Sequence, residues 1–347
     1  MERFPNVQMI PAGRLSDDEE KGYHLWQREG RITVAACEAL AFLGQVDVLK
    51  HFAVSMDPYL WRQTLTSMGL SAARGGQVVV LDWLFTCYDF AIQPGMCFAA
   101  YGGHATAVQW FKTRGCPWSV DVCAWAAQSG HLELLQHIRA DGCPWEAMTC
   151  AQAAHGGHLQ VLIWVRSQGC PWDERTCQFA AAGGHLDVLQ WLRTQTPPCP
   201  WNASVLQQAA TLGHLALLQW ALEHGCPFDA GVCATVADLG VLKALRQFGC
   251  PWSEQTTAWL GAMDELPALQ WALEQGAPCD WATLPSRLNH PQMRLPTTFY
   301  CQRHWFQTHC NVPWPPSLQA WLEVVGSVAE RLPHIPAALV TLIQRYC

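Results

Sequence analysis

The chain has 347 residues, of which half are hydrophobic and only 14% are charged, so we expect an ordered protein rather than a disordered one. Its formal net charge is −7 and its lysines and arginines form no cluster, which argues against nucleic acid as a partner. No apolar run approaches the roughly 20 residues of a membrane-spanning helix, so no membrane partner is expected either. The 17 cysteines are odd in number and accompany no recognisable secretory signal, which favours a reducing, intracellular compartment, most simply the cytoplasm.

The first 31 residues precede any recurring pattern. They contain a dense run of charge at residues 17–21, with four acidic side chains followed by one lysine. Such runs near a chain end are typically solvated. We therefore predict that residues 1–31 form a mobile N-terminal segment.

Two short phrases recur in step along residues 32–281. The first is Gly-His-Leu-x-Val-Leu-Gln-Trp, with variations, and subtraction of residue numbers spaces its histidines by 27, 27, 27 and 29. These histidines are His104, His131, His158, His185 and His214. The second phrase, Gly-Cys-Pro-Trp, keeps in step with the first, and a fixed period indicates an array of stacked units. We count about nine units, with degenerate copies at the ends because a terminal repeat faces water on one side.

One unit shows the expected local structure most clearly. Asp173 is predicted to cap a first helix that runs to Ala182 and is rich in alanine, a strong helix former. Gly183 and Gly184 end this helix, because glycine accepts the positive φ common at a helix C-terminus. A second helix begins near His185 and carries apolar residues at helical spacing. Each unit is therefore predicted to be a helix–turn–helix hairpin.

These phrases resemble those of the ankyrin-repeat family. Gly-His-Leu-x-Val-Leu matches the start of the second ankyrin helix, and residues 169–173 (Gly-Cys-Pro-Trp-Asp) stand where ankyrins carry Gly-Ala-Asp-Val-Asn. The unit of 27 residues is shorter than the 33 of ankyrins. The resemblance implies an all-α, ankyrin-like solenoid of stacked helix–turn–helix repeats with shortened hairpin loops. It also implies a non-catalytic scaffold that binds a protein partner on its concave helix face.

The candidate binding residues occupy positions that vary while the frame of the repeat stays constant. Two such positions lie three residues apart in the first helix, so they share one helix face. Aromatic side chains mixed with polar ones are typical of protein interfaces. We predict that the partner is bound by Phe98, Tyr101, Trp125, Gln128, Gln152, His155, Phe179, Gln208 and Thr211. In the alternative interpretation, the aromatic side chains only pack against the next repeat.

The other recurring side chains are interpreted as structural. One histidine in each unit places successive rings about 10 Å apart, too far to share a zinc ion whose ligands lie at about 2 Å. We expect these histidines to bond neighbouring backbone groups. The cysteines of Cys-Pro-Trp are expected to be small buried hydrophobic residues, and the tryptophans to fill an inter-repeat core. No nucleophile elbow, P-loop or dinucleotide motif occurs, so we predict no enzymatic activity, no metal and no cofactor.

Residues 282–347 break the repeat pattern with several prolines. We predict a helical C-terminal cap or a small tail module there. The alternative function is a substrate adaptor that recruits a ubiquitin ligase through this tail, because Ser317-Leu318 and Leu332-Pro333 faintly resemble a SOCS box. In either case we expect a monomer.

Overall fold

Nineteen α-helices and no β-strand occur in the part of the chain that the computed structural model describes, namely residues 16–29, 32–88, 95–234, 236, 238–262 and 266–278. The all-α fold class predicted from the sequence is thereby confirmed. None of these helices is long and apolar enough to cross a membrane. Our predictions for residues 282–347 lie outside the described residues.

The chain divides into two compact units, Met1–Pro200 and Trp201–Cys347. The first unit contains α1 (Asp17–Glu29), α2 (Val34–Phe42), α3 (Val46–Ser55), α4 (Pro58–Arg74), α5 (Val78–Tyr88), α6 (Gly95–Tyr101), α7 (Ala105–Thr113), α8 (Val120–Gln128), α9 (Leu132–Ala140), α10 (Ala147–His155), α11 (Leu159–Ser167), α12 (Glu174–Gly183) and α13 (Leu186–Thr194). The second unit contains α14 (Ala203–Thr211), α15 (Leu215–Glu223), α16 (Ala230–Ala234), α17 (Leu239–Gln247), α18 (Glu254–Ala262) and α19 (Leu266–Glu274).

From α2 onward an even-numbered first helix alternates with an odd-numbered second helix. Each pair from α2–α3 to α14–α15, and the pair α18–α19, packs as a hairpin, and α16 and α17 follow in the same order along the chain. In the first unit the first helices pack on one another in sequence, from α2 through α4, α6, α8 and α10 to α12. In the second unit α14, α16 and α18 pack in the same way. Only six residues separate α9 from α10, at 141–146, and they form turn and irregular backbone. The hairpins are therefore stacked through short connecting loops, as predicted.

The core is built from small residues of the first helices and branched residues of the second. In α10, Ala153 and Ala154 are fully buried, and in α11 Leu162 and Val165 are fully buried. Small alanine side chains let neighbouring first helices approach closely, and the larger side chains fill the space beneath them. The regular placement of small residues in first helices and branched residues in second helices therefore produces a continuous interior within each stack of hairpins.

The helix ends follow the predicted chemistry. Helix α12 begins after Asp173, whose carboxylate accepts a hydrogen bond of 3.1 Å from the backbone N–H of Arg175. Its first turn carries Glu174, whose negative charge is stabilised by the positive N-terminal end of the helix dipole. Gly184 ends the helix with a φ of 76°, a conformation that glycine adopts without a steric penalty. The helix extends one residue beyond the predicted end, to Gly183.

The glycine pair that ends a first helix also determines how closely the hairpins stack. A Cβ added to Gly156 would lie 2.1 Å from the carbonyl oxygen of Gln128 in the preceding hairpin. Real Cβ contacts of this length do not occur, so only glycine fits there. The following Gly157 has a φ of 74° and turns the chain into the second helix. The two glycines therefore serve two different needs, close backbone approach and a left-handed turn.

The prediction of a mobile segment at residues 1–31 is wrong for residues 17–29, which form α1 and pack against α2. Tyr23 is 1% exposed and Glu19 is 4% exposed. The Glu19 carboxylate accepts hydrogen bonds from the backbone N–H and the hydroxyl of Ser16, at 2.7 and 2.8 Å, and so completes a capping box. It also accepts a hydrogen bond from Ser71 and forms an ion pair with Arg74, both in α4. Helix α1 is therefore held in place by contacts with α4, which is distant in sequence and which the local charge pattern does not reveal.

The contribution of Glu19 to stability is expected to depend on pH. Burial by itself raises the pKa of the Glu19 carboxyl, but the hydrogen bonds from Ser16 and the charge of Arg74 outweigh burial and lower the pKa below 4.5. A lowered folded-state pKa means that the stabilisation is present above the unfolded value and is lost as the pH falls through the lowered value. Glu19→Gln should therefore destabilise the protein at neutral pH and remove part of the acid sensitivity.

Urea unfolding of the wild type and of Glu19→Gln at pH 7 and at about pH 3 measures this difference. The gap in unfolding free energy between the two proteins should narrow as the pH falls, because a growing fraction of Glu19 is then protonated in the wild type as well. A gap that stays constant or widens in acid would contradict the role of the ionised carboxylate.

Candidate functional site

Seven of the nine predicted binding residues lie on successive first helices of the first unit. Helix α6 carries Phe98 and Tyr101, α8 carries Trp125 and Gln128, α10 carries Gln152 and His155, and α12 carries Phe179. Tyr101 is 38% exposed and the other six are half-buried. We call these seven side chains the first-helix surface. The other two, Gln208 and Thr211, lie on α14 of the second unit, where Gln208 is half-buried and Thr211 is exposed.

Three aromatic rings join α6 to α8 on this surface. The Phe98 and Trp125 rings are stacked with centroids 5.7 Å apart and an interplanar angle of 29°. Tyr101 meets Trp125 edge-on, at 5.5 Å and 77°. Stacked and edge-on pairs at these separations are favourable for aromatic rings. The rings do pack against the neighbouring repeat, as in the alternative interpretation, and they still leave part of each ring exposed.

Polar contacts continue the surface from α8 to α12. The Gln128 side-chain amide lies 3.5 Å from Nδ1 of His155, and it donates a hydrogen bond when that nitrogen is unprotonated. The His155 ring lies edge-on to Phe179, with centroids 5.8 Å apart and an angle of 66°. Each of these contacts joins adjacent hairpins, so the side chains are held in place before any partner binds.

The equivalent positions in α4 are already covered by the chain itself. They are Ser71 and Arg74, and both bind the Glu19 carboxylate of α1. Helix α1 therefore closes one end of the first-helix surface. Sequence analysis missed Glu19 as a partner of this face because 52 and 55 residues separate it from Ser71 and Arg74. The available signal was the capping-box spacing of Ser16 and Glu19, which predicts a helix there.

The recurring histidines support this surface from behind. Nε2 of His131 lies 3.0 Å from the carbonyl oxygen of Tyr101, and Nε2 of His185 lies 3.0 Å from that of His155. Each histidine thus bonds the last turn of the first helix in the preceding hairpin, at a residue of the surface. Burial lowers the pKa of His158, which favours the neutral ring. The predicted backbone role is confirmed, and the described part of the chain contains no group of three or more side chains able to hold a metal.

Comparison with known proteins gives a likeness of fold. No protein-family model matches the chain, and no curated protein matches it. Among solved structures, 96 chains match. One of them is the ankyrin repeat domain of human ASB11. It is 15% identical to this chain, and the match covers 54% of this chain and 99% of that one, with a TM-score of 0.41. The 27-residue variety of the repeat stays a prediction.

The cysteines of the Cys-Pro-Trp phrase are buried as predicted, except Cys116, which is half-buried, and several of them are also hydrogen-bond donors. The Cys170 thiol lies 3.3 Å from the carbonyl oxygen of Glu146, and the Cys199 thiol lies 3.4 Å from that of Asp173. Glu146 and Asp173 occupy the N-cap positions of α10 and α12. The thiols therefore tie each loop to the start of the first helix in the preceding hairpin, and a small hydrophobic residue would not replace them fully.

The prediction that the tryptophans fill an inter-repeat core is wrong for those of the Cys-Pro-Trp phrase and for most of those in the second helices, which are half-buried, whereas Trp110 is buried. Trp172 packs edge-on against Trp191 of α13, with centroids 6.1 Å apart. The guanidinium of Arg166 lies 3.9 Å above the Trp172 ring and donates to the Cys170 carbonyl oxygen at 2.6 Å. An arginine over the indole face is favourable while the ring edge remains in water. The signal in the sequence was an arginine four residues before the cysteine.

A shallow cleft of about 530 Å³ lies beside the turns that follow α6 and α8. Its titratable side chains are His131, Glu133 and His137, and the lining includes no serine, threonine or cysteine. The His131 ring is already bonded to the Tyr101 carbonyl oxygen. The lining therefore offers no nucleophile beside a base.

Proposed function

We propose that this protein is a non-catalytic interaction scaffold that binds a protein partner through the first-helix surface. The observation that carries the proposal is the alignment of seven side chains from α6, α8, α10 and α12 on one face, all partly exposed. Rigid aromatic rings lose little conformational entropy on binding and are enriched among the residues that dominate binding energy. The amides of Gln128 and Gln152 supply donors and acceptors for the partner's backbone.

In the described part of the chain, several tryptophan rings elsewhere are covered by a cationic side chain, whereas the aromatic rings of the first-helix surface are not. Arg139 and Arg166 lie over the faces of Trp145 and Trp172, at 4.2 and 3.9 Å. Among the described residues, no lysine or arginine is recorded over Phe98, Tyr101 or Trp125. The exposed parts of these three rings are thus free for contacts with another protein.

Charged substitutions on the surface test this function. Tyr101→Glu and Gln152→Glu alter partly exposed side chains, so we expect a small effect on stability. Proximity labelling with the full chain should lose a defined set of interactors in the double variant. A purified interactor from that set should bind the double variant at least about tenfold more weakly in calorimetry, because two buried charges would be introduced at the interface.

Ile163→Glu serves as the matched control. Ile163 is 37% exposed on the second helix α11, close to the exposure of Tyr101 but away from the first-helix surface. It should retain the interactors. If the double variant, shown by circular dichroism to be folded, retains every interactor and its affinity, the proposed function through this surface is wrong.

We also propose that the protein is a monomer and that it is located in a reducing intracellular compartment. All thirteen cysteines among the described residues are free thiols, which supports this location. The adaptor function through residues 282–347 stays a prediction, since that segment lies outside the described residues.

A further inference from the structure

Two buried thiols of the second unit are in direct contact. Sγ of Cys233, in the first helix α16, lies 3.0 Å from Sγ of Cys250, the cysteine of the next Cys-Pro-Trp phrase. Both residues are fully buried. The two positions are 17 residues apart. The contact therefore follows from the fold and not from a short cysteine motif.

The surroundings make the two sulfurs unequal. Cys233 donates its S–H to the sulfur of Cys250, and the guanidinium of Arg246 donates to the Cys250 carbonyl oxygen. The hydrogen bond from Cys233 lowers the pKa of the Cys250 thiol, and the positive charge of Arg246 lowers it further, against the opposing effect of burial. Both effects favour the thiolate form of Cys250, whose thiol also lies 3.5 Å from the carbonyl oxygen of Asp229, and the Cys233 thiol lies within reach. Reactive cysteine pairs share this arrangement of a stabilised thiolate beside a resolving thiol.

We propose that Cys233 and Cys250 form an oxidation site that reacts with a hydroperoxide to give a disulfide. In the first step the Cys250 thiolate attacks one peroxide oxygen, the S–O bond forms, the O–O bond breaks, and the released hydroxide takes up a proton as water. In the second step the Cys233 sulfur attacks the Cys250 sulfenic acid, the S–S bond forms and the S–O bond breaks. The Cys233 proton leaves with the hydroxide as a second water. The two thiols lose two electrons and hydrogen peroxide gains them.

The fold limits the movement that this reaction requires. A disulfide needs its sulfurs at about 2.0 Å, so they must approach each other by about 1 Å from their present separation. Helix α16 has only five residues, and so short a helix opens more easily than a long one. Local opening of α16 gives the oxidant access to the otherwise buried pair. The reaction is therefore expected to be slower than oxidation of the exposed Cys87.

Helix and loop cysteines are also hydrogen-bonded in the first unit, as Cys123 with Cys143 and Cys150 with Cys170. In the Cys123–Cys143 pair the hydrogen bond raises the pKa of the loop cysteine, Cys143, so that pair lacks the stabilised thiolate. The Cys150 thiol is hydrogen-bonded to the Cys170 sulfur, and this bond together with Arg166 lowers the pKa of Cys170. Cys226 occupies the equivalent loop position in the second unit, but Leu206 stands where its helix cysteine would be. The chain thus provides a second expected disulfide, Cys150–Cys170, and a loop cysteine, Cys226, whose matching helix position holds a leucine.

The experiment uses the full chain, fully reduced and then treated with a small excess of hydrogen peroxide. Free thiols are alkylated, and the digested protein is mapped by mass spectrometry. We expect a peptide pair linked through Cys233 and Cys250, lighter by two hydrogens than the separate peptides and separated by dithiothreitol. The oxidised protein should unfold at a temperature higher by roughly 5 °C, because the cross-link constrains the unfolded chain.

Cys233→Ala and Cys250→Ser should each abolish the linked peptide, and Cys226→Ser should leave it unchanged. Recovery of Cys233 and Cys250 as alkylated thiols, under conditions that fully oxidise Cys87, would overturn the proposal. This mapping is done on the unaltered chain, so it decides the question even if a variant fails to fold.

Discussion

Gly156→Ala is expected to lower the free energy of unfolding by about 3 kcal/mol or more, because its Cβ would lie 2.1 Å from the Gln128 carbonyl oxygen. That oxygen belongs to the backbone of α8, which cannot move away without separating two hairpins. The φ of Gly156 is −76°, a value that alanine adopts freely, so the loss comes from the contact alone. Chemical denaturation of the full chain measures the difference.

Gly169→Ala is the matched control for this prediction. Its φ is +80°, but an added Cβ would meet nothing within 4 Å. The cost there is the left-handed backbone conformation only, about 1 kcal/mol. Equal losses in the two variants would contradict the explanation based on close backbone approach.

Trp172→Ala is expected to lower the free energy of unfolding by about 2–3 kcal/mol. The variant loses the edge-on contact with Trp191 and the cation–π contact with Arg166. The expected loss is below the range of about 3–5 kcal/mol for a fully buried aromatic residue, because the Trp172 ring is only half-buried.

Trp172→Phe should restore most of this stability, since a benzene ring retains a face for the guanidinium and an edge for Trp191. Urea denaturation of the three proteins gives the comparison. A loss below about 0.5 kcal/mol for the alanine variant would show that the Arg166–Trp172–Trp191 arrangement contributes little.

Much of the fold could be predicted because each hairpin repeats the same local signals. The cap at Asp173, the glycine turn at Gly184 and the apolar spacing after His185 all act within about one helical turn of the chain. Those signals determine helix ends without knowledge of the tertiary structure. The shared face of Trp125 and Gln128 was predictable for the same reason, since three residues nearly complete a helical turn.

Contacts between distant residues could not be predicted in this way. Glu19 finds Arg74 only after α1 has packed on the array, and 55 residues separate the two. The half-burial of Trp172 depends on where the second helix ends relative to the surface, which the repeat period does not specify. Whether the first-helix surface binds a partner depends on that partner's chemistry, and no single chain encodes it.

The hydrogen bonds from His131 and His185 connect each hairpin to the one before it, as do the ring contacts of the first-helix surface. Because these interactions reach only to the adjacent hairpin, duplication of one whole hairpin would leave the contacts of the other hairpins intact. One extra copy of 27 residues would add one more pair of variable side chains and leave the existing pairs in register. Copy number is therefore a route by which recombination can change the length of the recognised ligand without redesigning any single module.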